Sequence, residues 1–90
     1  MLTIDLETLK NRIDLAELFA SRGLKLVRRG ANLVTLCPFH SDSRPSLVIN
    51  PKRQLWNCFG CQAAGDAISF VERFDKVDFK VALARVSRDA

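Results

Sequence analysis

The 90-residue sequence predicts an α+β fold, a small antiparallel sheet with helices before and after it. Three observations carry that prediction. Apolar residues recur at helical spacing near both ends, and the middle third switches to short β-rich runs around turn residues. All three cysteines and the one histidine fall in two clusters, at 37–40 and 58–61, that bracket the second of those runs.

A first helix is expected over residues 5–11, with Leu6 and Leu9 facing inward. A second begins at Asp14, where Glu17 three residues on resembles a capping box; Leu15, Leu18 and Phe19 share a face, and Gly23 supplies the stop. "LKLVRRGANLVTL" then reads as a hairpin of 24–29 and 32–37 turning at Gly30. "SLVINPKRQLWNC" reads as a second, with 47–49 and 55–57 on either side of Asn50-Pro51-Lys52-Arg53. Asp66 is the expected N-cap of a helix whose stripe is Ile68, Val71 and Phe74 beside Ala67 and Phe70. Asp78 caps a last helix carrying Phe79, Ala82, Leu83 and Val86, and all these phenylalanines are expected in the core. Residues 1–90 form one domain on this reading: a helical N-terminus at 1–23, the sheet at 24–62 and helices at 66–88.

A chain this short buries a modest fraction of its surface and needs a staple. The N-terminus is acidic and amphipathic where a secretory signal would be basic and then apolar, and no apolar run approaches the roughly 20 residues of a membrane span. A cytoplasmic protein with no membrane partner is therefore expected. An odd number of cysteines in a reducing compartment argues against disulfides and toward a metal or a reactive thiol.

The clusters read C-x2-H, seventeen residues, C-x2-C. Two residues between paired ligands let a tight turn aim both side chains at one ion; Pro38 stiffens one turn, and Gly60 lets backbone amides approach sulfur in the other. Three thiolates and an imidazole suit one tetrahedral Zn²⁺ held by Cys37, His40, Cys58 and Cys61. A buried free cysteine or two must also explain why the sole histidine completes one of the two pairs. An iron–sulfur cluster, the competing metal, usually wants four thiolates. Four protein ligands leave no open coordination position, so the ion is structural, and catalysis by a reactive cysteine would find all three thiols occupied. The site would carry a net charge near −1, which amide donors and nearby cations would offset.

Charge is unevenly distributed. Between Arg22 and Arg53 there are seven basic residues against one acid, Asp42, a net of +6, although the whole chain is only +4. That is an ordinary footprint for a polyanion, with a merely solvated basic face as the bland reading.

"CPFHSDSRPSLVINPKRQLWNCFGCQAAGDAISFV", with the basic hairpin before it and "FDKVDFKVALARVS" after it, resembles the N-terminal zinc-binding domain of bacterial and phage DNA primases. The likeness covers nearly the whole chain. It implies a zinc-ribbon-like sheet flanked by helices, zinc on Cys37, His40, Cys58 and Cys61, and structural roles for Pro45 and Ser46. It also implies binding of single-stranded DNA template, which helps a separate catalytic domain, in cis or trans, select where an RNA primer begins. A replicative helicase is a further partner, and the chain is expected as a monomer. Leu33 and Leu47 stand where the family usually has aromatics, Asn57 where it often has a cation, and Gln62 and Ala64 where glycine is usual.

No cluster of Mg²⁺-binding carboxylates is visible, so the chain carries no polymerase site and would be part of, or accessory to, a primase. Single strands are held by cations along the backbone and flat side chains under the bases. Arg53, Lys52 and Arg44 are expected at one edge, with Lys25, Arg28 and Arg29 on the first hairpin; alternation puts Arg28 and Arg29 on opposite faces. Trp56 is the candidate stacking ring, with burial in the core as the equal alternative. A different class of function, a zinc-ribbon protein-interaction module docking on a polymerase or helicase, gains support if Leu33 and Leu47 are exposed.

Overall fold

In a computed structural model of the chain, residues 13–40 and 44–89 are described, and the helix expected at 5–11 lies outside them. Helix α1 spans Leu15–Ser21. Asp14 caps it, its Oδ1 accepting from the Glu17 N–H at 3.2 Å. The chain leaves through Gly23 at φ +85°, a left-handed angle that suits glycine.

Five strands follow: β1 (Val27–Arg29), β2 (Asn32–Thr35), β3 (Leu47–Asn50), β4 (Leu55–Cys58) and β5 (Ala64–Gly65). They form one antiparallel sheet in sequence order. Arg29 pairs with Asn32 across the tight turn of Gly30 and Ala31, with Gly30 at φ +66°. The second hairpin closes at Asn50 opposite Leu55. Both hairpins lie where the turn residues put them. Two-residue β5 was not anticipated, because so short a strand has no periodicity to read.

Helix α2 (Ala67–Asp75) starts from a full capping box. Asp66 Oδ1 accepts from the Ser69 N–H at 3.0 Å, and Asp66 N–H donates to Ser69 Oγ at 2.8 Å. Gly65 makes this possible, since a Cβ there would stand 1.8 Å from Ser69 Oγ. Helix α3 (Phe79–Asp89) begins at Asp78, whose Oδ1 accepts from the Val81 N–H at 2.9 Å.

One face of the sheet carries the core. Leu47, Ile49, Trp56 and Cys58 share it and pack with Leu15, Leu18 and Phe19 of α1 and Ile68, Phe70 and Val71 of α2. Phe19 stacks on Phe70 with centroids 3.8 Å apart, and Trp56 meets both edge-on. Ala82 and Val86 bring α3 into the same cluster. Phe79 departs from expectation: placed first in its helix, it is 49% exposed and outside the core, so helical spacing alone put it on the wrong side.

Three helices are clasped by one carboxylate. Asp75 at the end of α2 takes bonds from Arg22 Nη2 after α1 and from Arg85 Nη1 of α3, both at 2.9 Å. Burial pushes its carboxyl up, but the hydrogen bonds and charges of Arg22 and Arg85 outweigh that and hold it below the usual carboxylate range.

Candidate metal centre and open sheet face

The four soft donors arrive from two knuckles. Cys37 and His40 lie in the turn after β2, Cys58 is the last residue of β4, and Cys61 sits in the next turn. Their donor atoms all lie within 4.8 Å of one another. Cys37 Sγ and Cys61 Sγ are 3.8 Å apart, and His40 Nε2 is 3.3 Å from Cys58 Sγ. A tetrahedron with Zn–S of about 2.3 Å has an S···S edge of about 3.8 Å, so the donors fit one zinc ion in both chemistry and spacing. Cys37, His40, Cys58 and Cys61 would hold that ion, and what it would supply is a cross-link.

The surroundings suit a centre of net negative charge. The Gly60 N–H donates to Cys58 Sγ at 3.3 Å and the Phe39 N–H to Cys37 Sγ at 3.5 Å, while the Ser46 hydroxyl lies 3.4 Å from Cys58 Sγ. A Cβ on Gly60 would stand 2.7 Å from His40 Nε2, which explains the glycine. Burial, reinforced by the sulfurs of Cys58 and Cys61, pushes the Cys37 thiol up to about 12, against the pull of the Phe39 amide. Burial opposes ionisation at Cys58 as well, yet the Ser46 hydroxyl, the Cys61 amide, the His40 ring and the Gly60 amide bring that thiol down to about 6.

The cations expected at a nucleic-acid edge are placed variously. Arg29 lies on the sheet face opposite the core, while Arg28 points to the other side and donates to the Gly30 carbonyl at 3.4 Å. Arg44 is exposed beside Pro45, which lines that open face. Lys52 and Arg53 are exposed in the β3–β4 turn, and the Arg53 N–H is bound by Asn50 Oδ1 at 3.1 Å; Lys25 is exposed between α1 and β1.

Trp56 requires a correction. It is 2% exposed, its rings lie among Phe19, Phe39 and Phe70, and its Nε1–H donates to the Asp66 carbonyl at 2.8 Å. It is a core residue and cannot stack on bases. The exposed ring near the sheet is Phe59, at 71%, inside the second knuckle. Strand alternation held that answer: if Cys58 turns inward to a metal, Trp56 must turn inward with it, and Asn57 and Phe59 must turn out. Leu47 is fully buried and Leu33 packs partly buried against the core, so neither forms an apolar surface patch.

Two metal-bearing knuckles at one end of a short antiparallel sheet, with four closed ligands, define a zinc-ribbon protein. The chain belongs to the CHC2 zinc finger family, whose model matches residues 2–90. It is 40% identical over 78 residues to a DNA primase of Mycoplasma pneumoniae, covering 87% of this chain and 13% of that protein. Against a DNA primase of Aquifex aeolicus it is 39% identical over 85 residues, covering 93% of this chain and 17% of that one. The crystal structure of the zinc-binding and RNA polymerase domains of the Aquifex aeolicus primase is similar over 97% of this chain and 21% of that chain, with a TM-score of 0.84 and 34% identity. The chain thus spans less than a quarter of the length of these relatives. Among the described residues no helix is long and apolar enough to cross a membrane.

Proposed function

We propose that this chain is the template-binding module of a DNA primase, holding single-stranded DNA so that a catalytic domain, in cis or trans, begins an RNA primer at a selected site. The observation that carries the reading is the one-sidedness of the sheet. One face is filled by helices and locked by the metal knuckles, while no helix or strand among the described residues covers the other, with Arg29 on it, Arg44 beside it and the Lys52–Arg53 turn at one end. Membership of the CHC2 family and likeness to named primases support the same assignment. Phosphate contacts fall to Arg53, Lys52, Arg44 and Arg29, with Lys25 and Arg28 further out; a replicative helicase is a further candidate partner. The reading as a pure protein-interaction module loses its motive, because Leu33 and Leu47 are not exposed.

Titration of fluorescent single-stranded oligonucleotides across salt concentrations tests this. Three or four phosphate contacts give a slope of log K on log salt of about −2 to −3, and Arg53→Glu makes it shallower by about 0.7. Lys80→Glu, on exposed α3, serves as the control. Absence of binding to any oligonucleotide at the lowest salt overturns the proposal.

A further inference from the structure

A hollow of about 540 Å³ lies between the first metal knuckle and the end of α2, lined by Pro38, Phe39, Arg73, Phe74 and Lys76. It shares no lining residue with the open sheet face. Its walls follow from local structure. Pro38 and Phe39 fill the two positions between the ligands Cys37 and His40, so the knuckle that would hold the metal also presents them. Arg73 and Phe74 belong to the last turn of α2, and Lys76 is its C-cap. Phe39 and Phe74 are half-buried, each packed against Phe70, and supply the apolar part of the lining.

The cations of this hollow are left over by the fold. Asp75, the carboxylate between them in sequence, is taken by Arg22 and Arg85, and no acidic residue lines the hollow among the described residues. Among those residues the side chains of Arg73 and Lys76 make no hydrogen bond or ion pair, even though Glu72 stands four positions before Lys76, a spacing that pairs charges on a helix. Arg73 instead lays its guanidinium over the Phe39 ring, with Cζ 5.4 Å from the centroid. That contact decides what the hollow can take. It fixes a planar fork on an exposed residue, ready for a carboxylate, and it occupies a ring face that a base would need for stacking. Lys76 adds a second charge from a left-handed backbone at φ +57°, where glycine would fit with less strain.

We propose that this hollow docks an acidic segment of a partner protein, its carboxylates on Arg73 and Lys76 and one apolar side chain seated against Pro38, Phe39 and Phe74. Charge complementarity and the covered ring favour a peptide over a nucleic-acid strand. The surface is separate from the one assigned to template, so DNA on the sheet and a protein segment here are held at once.

The zinc-loaded chain is titrated with fluorescein-labelled peptides of aspartate and glutamate around one central leucine, phenylalanine or tryptophan. Affinity for the best of them is expected to fall about tenfold or more when its acids become asparagine and glutamine, and about tenfold when its central residue becomes alanine. Arg73→Glu weakens binding about tenfold or more, and Arg73→Lys about fivefold because the planar fork is lost. Lys76→Gly weakens it about threefold while the melting temperature holds or rises, which separates lost charge from lost fold. Oligo-dT affinity stays within about twofold in all three variants, and excess oligo-dT leaves the peptide bound. Absence of binding by every acidic peptide at low salt, or affinity indifferent to Arg73→Glu, overturns the proposal. Displacement of the peptide by oligo-dT overturns it too and assigns the hollow to the nucleic-acid path. Template binding on the sheet is judged by the oligonucleotide titrations alone and survives the first two results.

Discussion

The two faces of the sheet differ in how they treat polar atoms. On the closed face each is spoken for: the Trp56 indole reaches the Asp66 carbonyl, the Cys58 sulfur gathers Ser46 and Gly60, and no buried side-chain nitrogen or oxygen among the described residues lacks a partner. On the open face, one residue along the same strand, the Asn57 side chain has no hydrogen-bond partner among the described residues, and Phe59 stands in solvent. The contrast separates stability from recognition. Residues at even positions from 56 to 58 build the molecule, and the odd positions beside them are free to meet something else.

Metal removal is the strongest way to break this contrast. Structural zinc in small domains supplies on the order of 10 kcal/mol of apparent folding free energy, comparable to a whole domain's stability. Chelation, or Cys58→Ser, should therefore abolish the sheet signal and the cooperative melt in circular dichroism, and an unchanged melt after verified zinc loss would refute the staple. Next in size is the paired truncation of neighbours on opposite faces. Trp56→Ala should cost about 3–5 kcal/mol in urea unfolding, whereas Phe59→Ala stays within about 0.5 kcal/mol. Equal losses would mean that the faces are not distinct in the way their burial implies.

The helical clasp extends the comparison away from the sheet. Asp75→Asn should cost about 1.5 kcal/mol, discounted for the partial exposure of Arg85. Because the folded carboxyl is held below its ordinary range, its contribution is whole above the unfolded pKa and fades only as pH falls through the folded one. Acid releases zinc from thiolates as well, so the clean observation is a difference in urea stability between parent and variant that stays flat from about pH 5.5 to 8. A difference that changes within that window contradicts the depressed carboxyl. The smallest effect belongs to Gln62, held at φ +68° in the turn after the second knuckle. Gln62→Gly should raise stability by about 0.5 kcal/mol by relieving that angle, net of the extra freedom of the unfolded chain. The melting temperature of the zinc-loaded protein reads it out.

Features local in sequence were legible. The ligand spacing names the four donors, Asp14, Asp66 and Asp78 announce three helix starts, and Gly30 marks the first turn. What escaped depends on partners far along the chain. Asp75 meets Arg22 across 53 positions, and Gln54 Oε1 accepts from the Leu15 N–H at 2.8 Å across 39, a cap on α1 supplied by the second hairpin. Phe79 obeyed helical spacing yet lies on the exposed side, because one turn of helix does not say which stripe finds the core. Asn32, Asn50 and Asn57 look like ordinary turn formers until the register aligns them on one face.

The strict meander order of the strands has a kinetic consequence. Every ladder joins nearest neighbours in the chain, so no strand must search past another to find its mate, and hairpin closure on the microsecond scale can proceed independently at each turn. The slow step of refolding then falls to the docking of α1 onto the second hairpin and to ion capture, events whose pace a chelator concentration series would resolve.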